Sequence, residues 1–271
     1  MPLLTALRAR YPHLAIAHVE HSYCEGFVAG NVMHRLRFGT LLRSAYALFD
    51  QIVSVSAAQR DWLSERGLVS RPRLRLLRSC AGIADFLALP VVARAPRHFA
   101  AFGRFVPQKG FDLLIPAFRR IARQDLTLTF VGDGPQRAEL EALAGGDPRI
   151  RFAGYSSSPA TLMARFDAVL MPSRYEAYGL IGLEAIAAGR ALLVSGVDGL
   201  ADHVARGAYQ CRSRAPEDWA AAILSLAGEE PVAGTQRRLQ ARAAVRGAEE
   251  TFCRGYDALY RRLLSGSPDR G

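Results

Sequence analysis

The sequence is almost without lysine. Of its 35 Lys plus Arg residues only Lys109 is a lysine, and the rest are arginine. Arginine offers a planar, permanently charged fork and lysine a compact ammonium on a flexible stem. The one ammonium lies in AFGRFVPQKGFDLL, residues 101–114, five residues after Arg104. Cysteine is also scarce: Cys24, Cys80, Cys211 and Cys253 lie far apart with no C-x-x-C pair. That argues against a zinc site and a disulfide framework. Long apolar runs are missing, since stretches such as FDAVLMP and ALLVSGV fall far short of the ~20 residues that cross a bilayer. The opening MPLLTALRARYPHLAIAHVEHSY has no basic segment before its apolar part and no small-residue cleavage site. A cytoplasmic protein is expected. The arginines are not interleaved with aromatics, so nucleic acid is not an expected partner.

What is present describes an ordinary globular protein. With 271 residues, half of them apolar, the chain can form one large domain or two modest ones around a buried core. The net charge of +10 is uneven. Residues 1–95 carry 12 basic and 6 acidic side chains, and residues 96–271 carry 23 and 19. A basic first third suits anionic lipid or a phosphorylated acceptor, and equally a solvated arginine-rich face.

Short apolar runs alternate with amphipathic stretches, the pattern of parallel sheets covered by helices. In the first third HLAIAHVEH, QIVSVS and RLRLLR read as strands, and VMHRLRFGTLLRSAYALF and AAQRDWLSERG as helices. LALPVVARAPRH, with two prolines, reads as a linker. A longer series follows, with strands at HFAAFG, LTLTFVG, IRFAGY, AVLMPS and ALLVS. Its helices are FDLLIPAFRRIAR, QRAELEALAGG, PATLMARF, GLIGLEAIAAG, APEDWAAAILSLAG and QRRLQARAAVRGAEETFCRGYDALYRRLL. The expected units are residues 1–90, 91–250 and a final helix over 251–271.

Three strand-to-helix turns carry candidate chemistry. In open α/β sheets ligands settle at the carboxyl ends of strands, beside helix amino termini that favour anions. GRFVPQKG is such a turn, and Arg104 with Lys109 could clamp a diphosphate, each charge-assisted bond worth about 1.5–3 kcal/mol. A pair of surface cations beside a turn is the plainer reading. Gly132-Asp133-Gly134 allows close approach of a ligand or of another backbone. The third turn, SRYEAYGLIGLEAIAAG at 173–189, places Glu176 and Glu184 eight residues apart. Within one helix they would be about 80° and about 12 Å apart. The sequence favours Glu176 in the loop and Glu184 in the helix, spread along a ligand. Glu184 interrupts the apolar run LIGLEAIAA, where a buried acid needs a partner.

Together GRFVPQKGFDLLIPAFRRI, LTFVGDGPQRAEL, IRFAGYS and MPSRYEAYGLIGLEAIAAGRALLVSGVDGLADHV resemble the nucleotide-binding half of family-four retaining glycosyltransferases, across about residues 98–205. DQIVSVSAAQRDWLSERG and the segment to Phe86 resemble the end of that family's first domain. The implied fold is α/β and GT-B-like, with two Rossmann-like domains on parallel sheets. Residues 1–90 would be a partial, acceptor-side domain and 91–250 the nucleotide-sugar-binding domain, with the helix of 251–271 packing back towards the first. The resemblance implies that Arg104 and Lys109 hold the donor diphosphate and Glu176 the donor sugar. It implies that Tyr178, Gly179 and Leu180 form the turn beside sugar and phosphates, that Glu184 grips the ribose, and that Gly154 and Tyr155 meet the base. His21 in HVEHSYCEG matches the histidine near the reacting sugar, with His18 as its rival.

The implied reaction moves a sugar from a nucleoside-diphosphate sugar to an acceptor hydroxyl with retention, in surface polysaccharide or glycolipid synthesis. No cofactor and no metal is expected; the absence of a D-x-D and of a His/Cys cluster fits that account. The expected partners are a nucleotide sugar and a glycan or lipid-linked acceptor, with peripheral contact at the inner face of the membrane. Two departures stand out. The first unit is about half the family's usual length and is expected to be incomplete, with a misplaced start, a protein partner completing the sheet, or a compact or inactive form as the explanations. Cys80-Ala81-Gly82 stands where the family commonly has an asparagine-glycine pair. The rival to an enzyme is a non-catalytic sugar-nucleotide-binding or scaffold relative; a GT-B epimerase or phosphorylase fits the glutamates less well.

Overall fold

The computed structural model describes residues 2–80, 82–155 and 158–265. Ala81 of the Cys80-Ala81-Gly82 turn and residues 266–271 of the final expected unit lie outside them. The first half contains α1 (Pro2–Arg10), β1 (Ala17–Glu20), α2 (Glu25–Asn31), α3 (Arg35–Tyr46), β2 (Gln51–Ser54), α4 (Ala57–Glu65), β3 (Leu74–Leu76) and α5 (Ala84–Leu87). Its three strands pair in parallel in the order β1-β2-β3. Leu42, Tyr46, Ile52, Trp62, Leu63 and Leu74 pack against one face.

The second half opens with β4 (His98–Phe102), α6 (Phe111–Arg119), β5 (Thr127–Val131), α7 (Arg137–Ala144), β6 (Ile150–Ala153) and α8 (Pro159–Met163). It continues with β7 (Ala168–Met171), α9 (Leu180–Ala187), β8 (Ala191–Val194), α10 (Ala201–Val204), β9 (Tyr209–Gln210) and α11 (Pro216–Ala227). These six strands form one parallel sheet in the order β6-β5-β4-β7-β8-β9. All four residues of β7 and of β8 are buried, as expected of a sheet covered on both faces. Phe99, Phe118, Phe130 and Trp219 fill one side of the sheet. On the other, Val169, Leu183, Ile186 and Val245 pack in one cluster with Val55, Ile83 and Phe86 of the first half. The two parallel sheets fit two Rossmann-like domains.

The long helical stretch near the end divides into α12 (Pro231–Ala243) and α13 (Ala248–Leu264), with the break at residues 244–247. Gly255 on α13 lies against Leu77, where a side chain would collide. The short helices α1, α2, α5 and α10 and the two-residue β9 have no counterpart in the sequence pattern. The shortest of them, α5, α10 and β9 at two to four residues, are too brief to establish a period. Much of the arginine excess is used internally. Arg149, 9% exposed, donates to the carbonyls of Ile121 and Arg123 and pairs with Asp147 at 2.7 Å. Arg238 donates to the Val92 carbonyl at 2.9 Å and pairs with Glu229 at 3.0 Å. A five-donor fork satisfies several acceptors at once, which an ammonium does less well. Among the described residues no helix is long and apolar enough to cross a membrane.

Candidate active site

The second sheet reverses its strand order between β4 and β7, which pair directly. Connections leaving those strands diverge to opposite faces and open a crevice at their carboxyl ends. The loop after β4, residues 103–110, carries Lys109, and the loop after β7, residues 172–179, carries Glu176. Their side chains meet: Lys109 Nζ donates to Glu176 Oε2 at 2.6 Å, and Ser173 Oγ donates to the same oxygen at 3.2 Å. Both side chains are largely shielded, 20% and 13% exposed.

Backbone and ion-pair contacts fix the two loops. Gly103 N–H donates to Val131 O, and Phe105 N–H to Asp133 O. A Cβ on Gly132 would overlap the Gly103 carbonyl. A neighbouring backbone, and not a ligand, therefore fills the space that Gly132-Asp133-Gly134 leaves. Arg174 joins the second loop to the first, donating to both carboxylate oxygens of Asp112 at 2.8 and 2.6 Å and to Pro107 O at 2.7 Å.

The β7 loop ends in Tyr178-Gly179-Leu180 and opens α9, whose first N–H groups have no partner within the helix. Gly179 has φ 84°, and a Cβ there would stand 2.9 Å from Leu200 and Met171 side-chain atoms. Behind the turn His203 is fully buried, with Nε2 at 3.0 Å from the carbonyls of both Tyr178 and Gly179. Nε2 must carry the proton, because both partners are acceptors. Burial, with Arg206 nearby, pushes His203 down to about 4, so the ring is a neutral donor at pH 7. The Tyr178 hydroxyl accepts from Arg206 at 3.0 Å.

The first half brings up its own strand ends. Glu20, 2% exposed at the end of β1, accepts from Tyr46 Oη at 2.6 Å and from the N–H groups of Ser22 and Tyr23 at 2.7 and 2.9 Å. Burial pushes this carboxyl up, but these bonds and His18 outweigh it and hold the group below the ordinary carboxylate range. The bonds from residues 22 and 23 fold the chain around His21. His21, Val55 and Ser79, which follow β1, β2 and β3, line one cleft with Lys109, Glu176 and Tyr178–Ile181. The cleft holds about 410 Å³. His18 faces Glu20 and Phe49 instead, 3.3 Å from the carboxylate and 4.9 Å between ring centres.

The remaining sequence candidates lie apart from this lining. Arg104 is exposed on the β4 loop. Gly154 and Tyr155 follow β6, both exposed, and the Tyr155 residue is 86% accessible. Glu176 is in the loop and Glu184 in α9, the division their spacing favours. Glu184 is half-buried, and burial alone pushes its carboxyl up. No group of three or more His, Cys, Asp or Glu among the described residues is placed to hold a metal ion.

Two carboxylates that sequence reasoning missed fasten the halves together. Asp198 accepts from Gly26 N–H at 2.9 Å, from the Cys24 thiol at 3.2 Å and from Glu176 N–H at 3.3 Å. Cys24 is the residue just before α2, and its side chain makes no capping bond to the helix. Asp198 thus caps α2 from a distant part of the chain. Asp202 does the same for α4, accepting from Ala57 N–H at 3.1 Å and pairing with Arg78 at 2.5 Å. Nothing local in VSGVDGLADHV marks this role; in the structure Asp198 has φ 44° and is the one non-glycine residue with positive φ among those described.

Residues 96–229 match the family model described as "Glycosyl transferases group 1". The chain is 32% identical over 206 residues to the glycogen synthase of Mycobacterium tuberculosis, a match covering 71% of this chain and 49% of the relative. It therefore spans about half the length of the curated relatives it matches first. Among solved structures, sucrose-phosphate synthase from Thermosynechococcus elongatus superposes with a TM-score of 0.75 at 25% identity, over 93% of this chain and 68% of the other. Anabaena HepE in complex with UDP and glucose superposes with a TM-score of 0.73 at 17% identity, over 95% and 74%. The crevice at the strand reversal, the ordered strands around it and these likenesses agree: across residues 96–229 the chain carries a group 1 glycosyltransferase domain of the GT4-like kind, on a GT-B fold.

Proposed function

We propose that this chain transfers a sugar from a nucleoside-diphosphate sugar to an acceptor hydroxyl with retention, in the synthesis of a surface polysaccharide or glycolipid. The observation that carries the reading is the Lys109–Glu176 pair at the strand reversal, facing His21 across one cleft beside the amino terminus of α9. The solved relative with UDP and glucose adds support from the same fold.

The bond from the sugar C1 to the diphosphate oxygen breaks, and the acceptor oxygen bonds to C1 on the face the diphosphate leaves. The acceptor proton passes to the departing phosphate oxygen. The diphosphate gains negative charge as it leaves. Lys109 and the first N–H groups of α9 meet that charge from fixed positions, and preorganised donors of this kind lower the barrier most. Lys109 has three ammonium protons, and Glu176 takes one. Glu176 holds the sugar hydroxyls and Glu184 the ribose, where a hydroxyl pair would supply the partner that its half-buried carboxyl lacks. Arg104 would meet the diphosphate by turning in from its exposed position. Gly154 and Tyr155 would approach the base, and His21 the reacting sugar. No cofactor enters this scheme.

Calorimetry with UDP-glucose and GDP-mannose, together with nucleotide release in the absence of acceptor, tests the reading. Wild type is expected to bind one of the two and hydrolyse it slowly. Lys109→Ala should weaken binding at least about tenfold, equivalent to one charge-assisted bond. Glu176→Ala should keep nucleotide binding and lose turnover. Binding to neither donor would overturn the proposal, and binding with neither hydrolysis nor transfer would make the chain a non-catalytic sugar-nucleotide binder.

A further inference from the structure

We propose that the turn between α2 and α3 docks the protein on an anionic lipid surface, with the cleft held beside the bilayer. Met33 is 89% exposed and Leu36 90%, the two most exposed of the large apolar side chains among the described residues. Scattered exposed apolar residues are ordinary. These two stand three residues apart on a turn where all of residues 33–37, Met-His-Arg-Leu-Arg, are exposed. Leu41, 51% exposed, continues the apolar surface onto α3. A shallow groove of about 570 Å³ beneath it is lined by Tyr23, Phe27, Val32, Met33, Phe38 and Leu41.

Charge identifies the occupant. Residues 26–49 contain Arg35, Arg37 and Arg43 and no Asp or Glu. Glu25, the acid just before them, is already paired with Arg66 at 2.7 Å. Apolar side chains flanked by uncompensated cations suit the boundary between phosphate headgroups and acyl chains. A second copy fits poorly, because a two-fold contact through this patch would set the arginines of one copy against those of the other. Aromatic contacts link the patch to the cleft. The Phe38 and Phe27 rings each lie 5.2 Å from Tyr23, and Phe27 meets Tyr175 edge-on at 5.5 Å, one residue before Glu176. The surface is independent of which reaction the cleft performs. Combined with the function proposed above, it would place a lipid-linked acceptor at the cleft mouth.

Flotation of the whole chain with large vesicles tests the proposal, comparing pure phosphatidylcholine with a mixture containing about one third phosphatidylglycerol, a strongly anionic surface. Wild type should float with the anionic vesicles alone and be released by salt. Arg35→Ala/Arg37→Ala should reduce partitioning about 25-fold, at about fivefold per arginine. Met33→Ser/Leu36→Ser should reduce it to background while leaving the thermal midpoint and nucleotide binding unchanged, since both side chains are exposed. Failure of wild type to float, or flotation unaffected by either double substitution, overturns the proposal. So does a wild-type dimer in sedimentation velocity that Met33→Ser/Leu36→Ser dissociates, which would assign the patch to a second copy.

Discussion

Replacing Asp198 separates two opposing contributions at one residue. Its carboxylate makes one short bond, to Gly26 N–H at 2.9 Å, and two longer ones at 3.2 and 3.3 Å. The short charge-assisted bond contributes about 2 kcal/mol and the longer ones about 0.5 kcal/mol each. Against this, φ of 44° costs a residue with a Cβ about 1 kcal/mol, Asp and Asn tolerating it best. Asp198→Ala removes the bonds and raises the strain, so a loss of about 3–4 kcal/mol is expected. Asp198→Gly removes the bonds but relieves the strain, for about 2 kcal/mol. Asp198→Asn keeps one acceptor oxygen and should lose about 1 kcal/mol. Urea unfolding followed by tryptophan fluorescence gives the order Asp, Asn, Gly, Ala in falling midpoint. A glycine variant no more stable than alanine would refute the strain argument. An alanine variant as stable as wild type would refute the assigned role of the carboxylate as a distant cap for α2.

Two pH-dependent predictions follow from buried groups. His203, held down to about 4, takes up its proton in the unfolded chain near pH 6.5 but in the folded chain only near pH 4. Stability should therefore fall as pH drops through that window, by on the order of 3 kcal/mol. His203→Gln should flatten this slope in urea midpoints measured at pH 7, 5.5 and 4.5, and an unchanged slope would exclude the histidine as its source. Glu184 has the opposite sign: burial raises its carboxyl, so the folded state loses stability as pH rises through the raised value. Glu184→Gln should raise the thermal midpoint at pH 7, with the gain vanishing below about pH 4, where the wild-type acid is protonated in both states.

The parallel, fully buried strands announced themselves as apolar runs, and β7 and β8 lie where AVLMPS and ALLVS suggested. Their lateral order did not, because burial on both faces leaves no alternation to mark an edge or a neighbour. Lys109 and Glu176 were legible from their positions after strands. Their direct contact depends on β4 and β7 being adjacent, which only the pairing reveals. His18 and His21 could not be separated in advance, since the choice turns on β1 ending at Glu20 and on that carboxylate curling the next residues back. Asp198 was least visible. Its partners Cys24 and Gly26 are 174 and 172 residues away, and no local pattern encodes so distant a cap.

The arginine-rich composition has a practical consequence for the cleft. With every other cationic side chain a guanidinium, Lys109 is the one side-chain amine in the sequence. Amine-directed acylation of the folded protein would thus find one internal target, at the centre of the cleft and partly shielded by its carboxylate partner. The chain carries a built-in reporter: a ligand that occupies the cleft protects this amine, and the extent of modification at Lys109 measures occupancy without any engineered label.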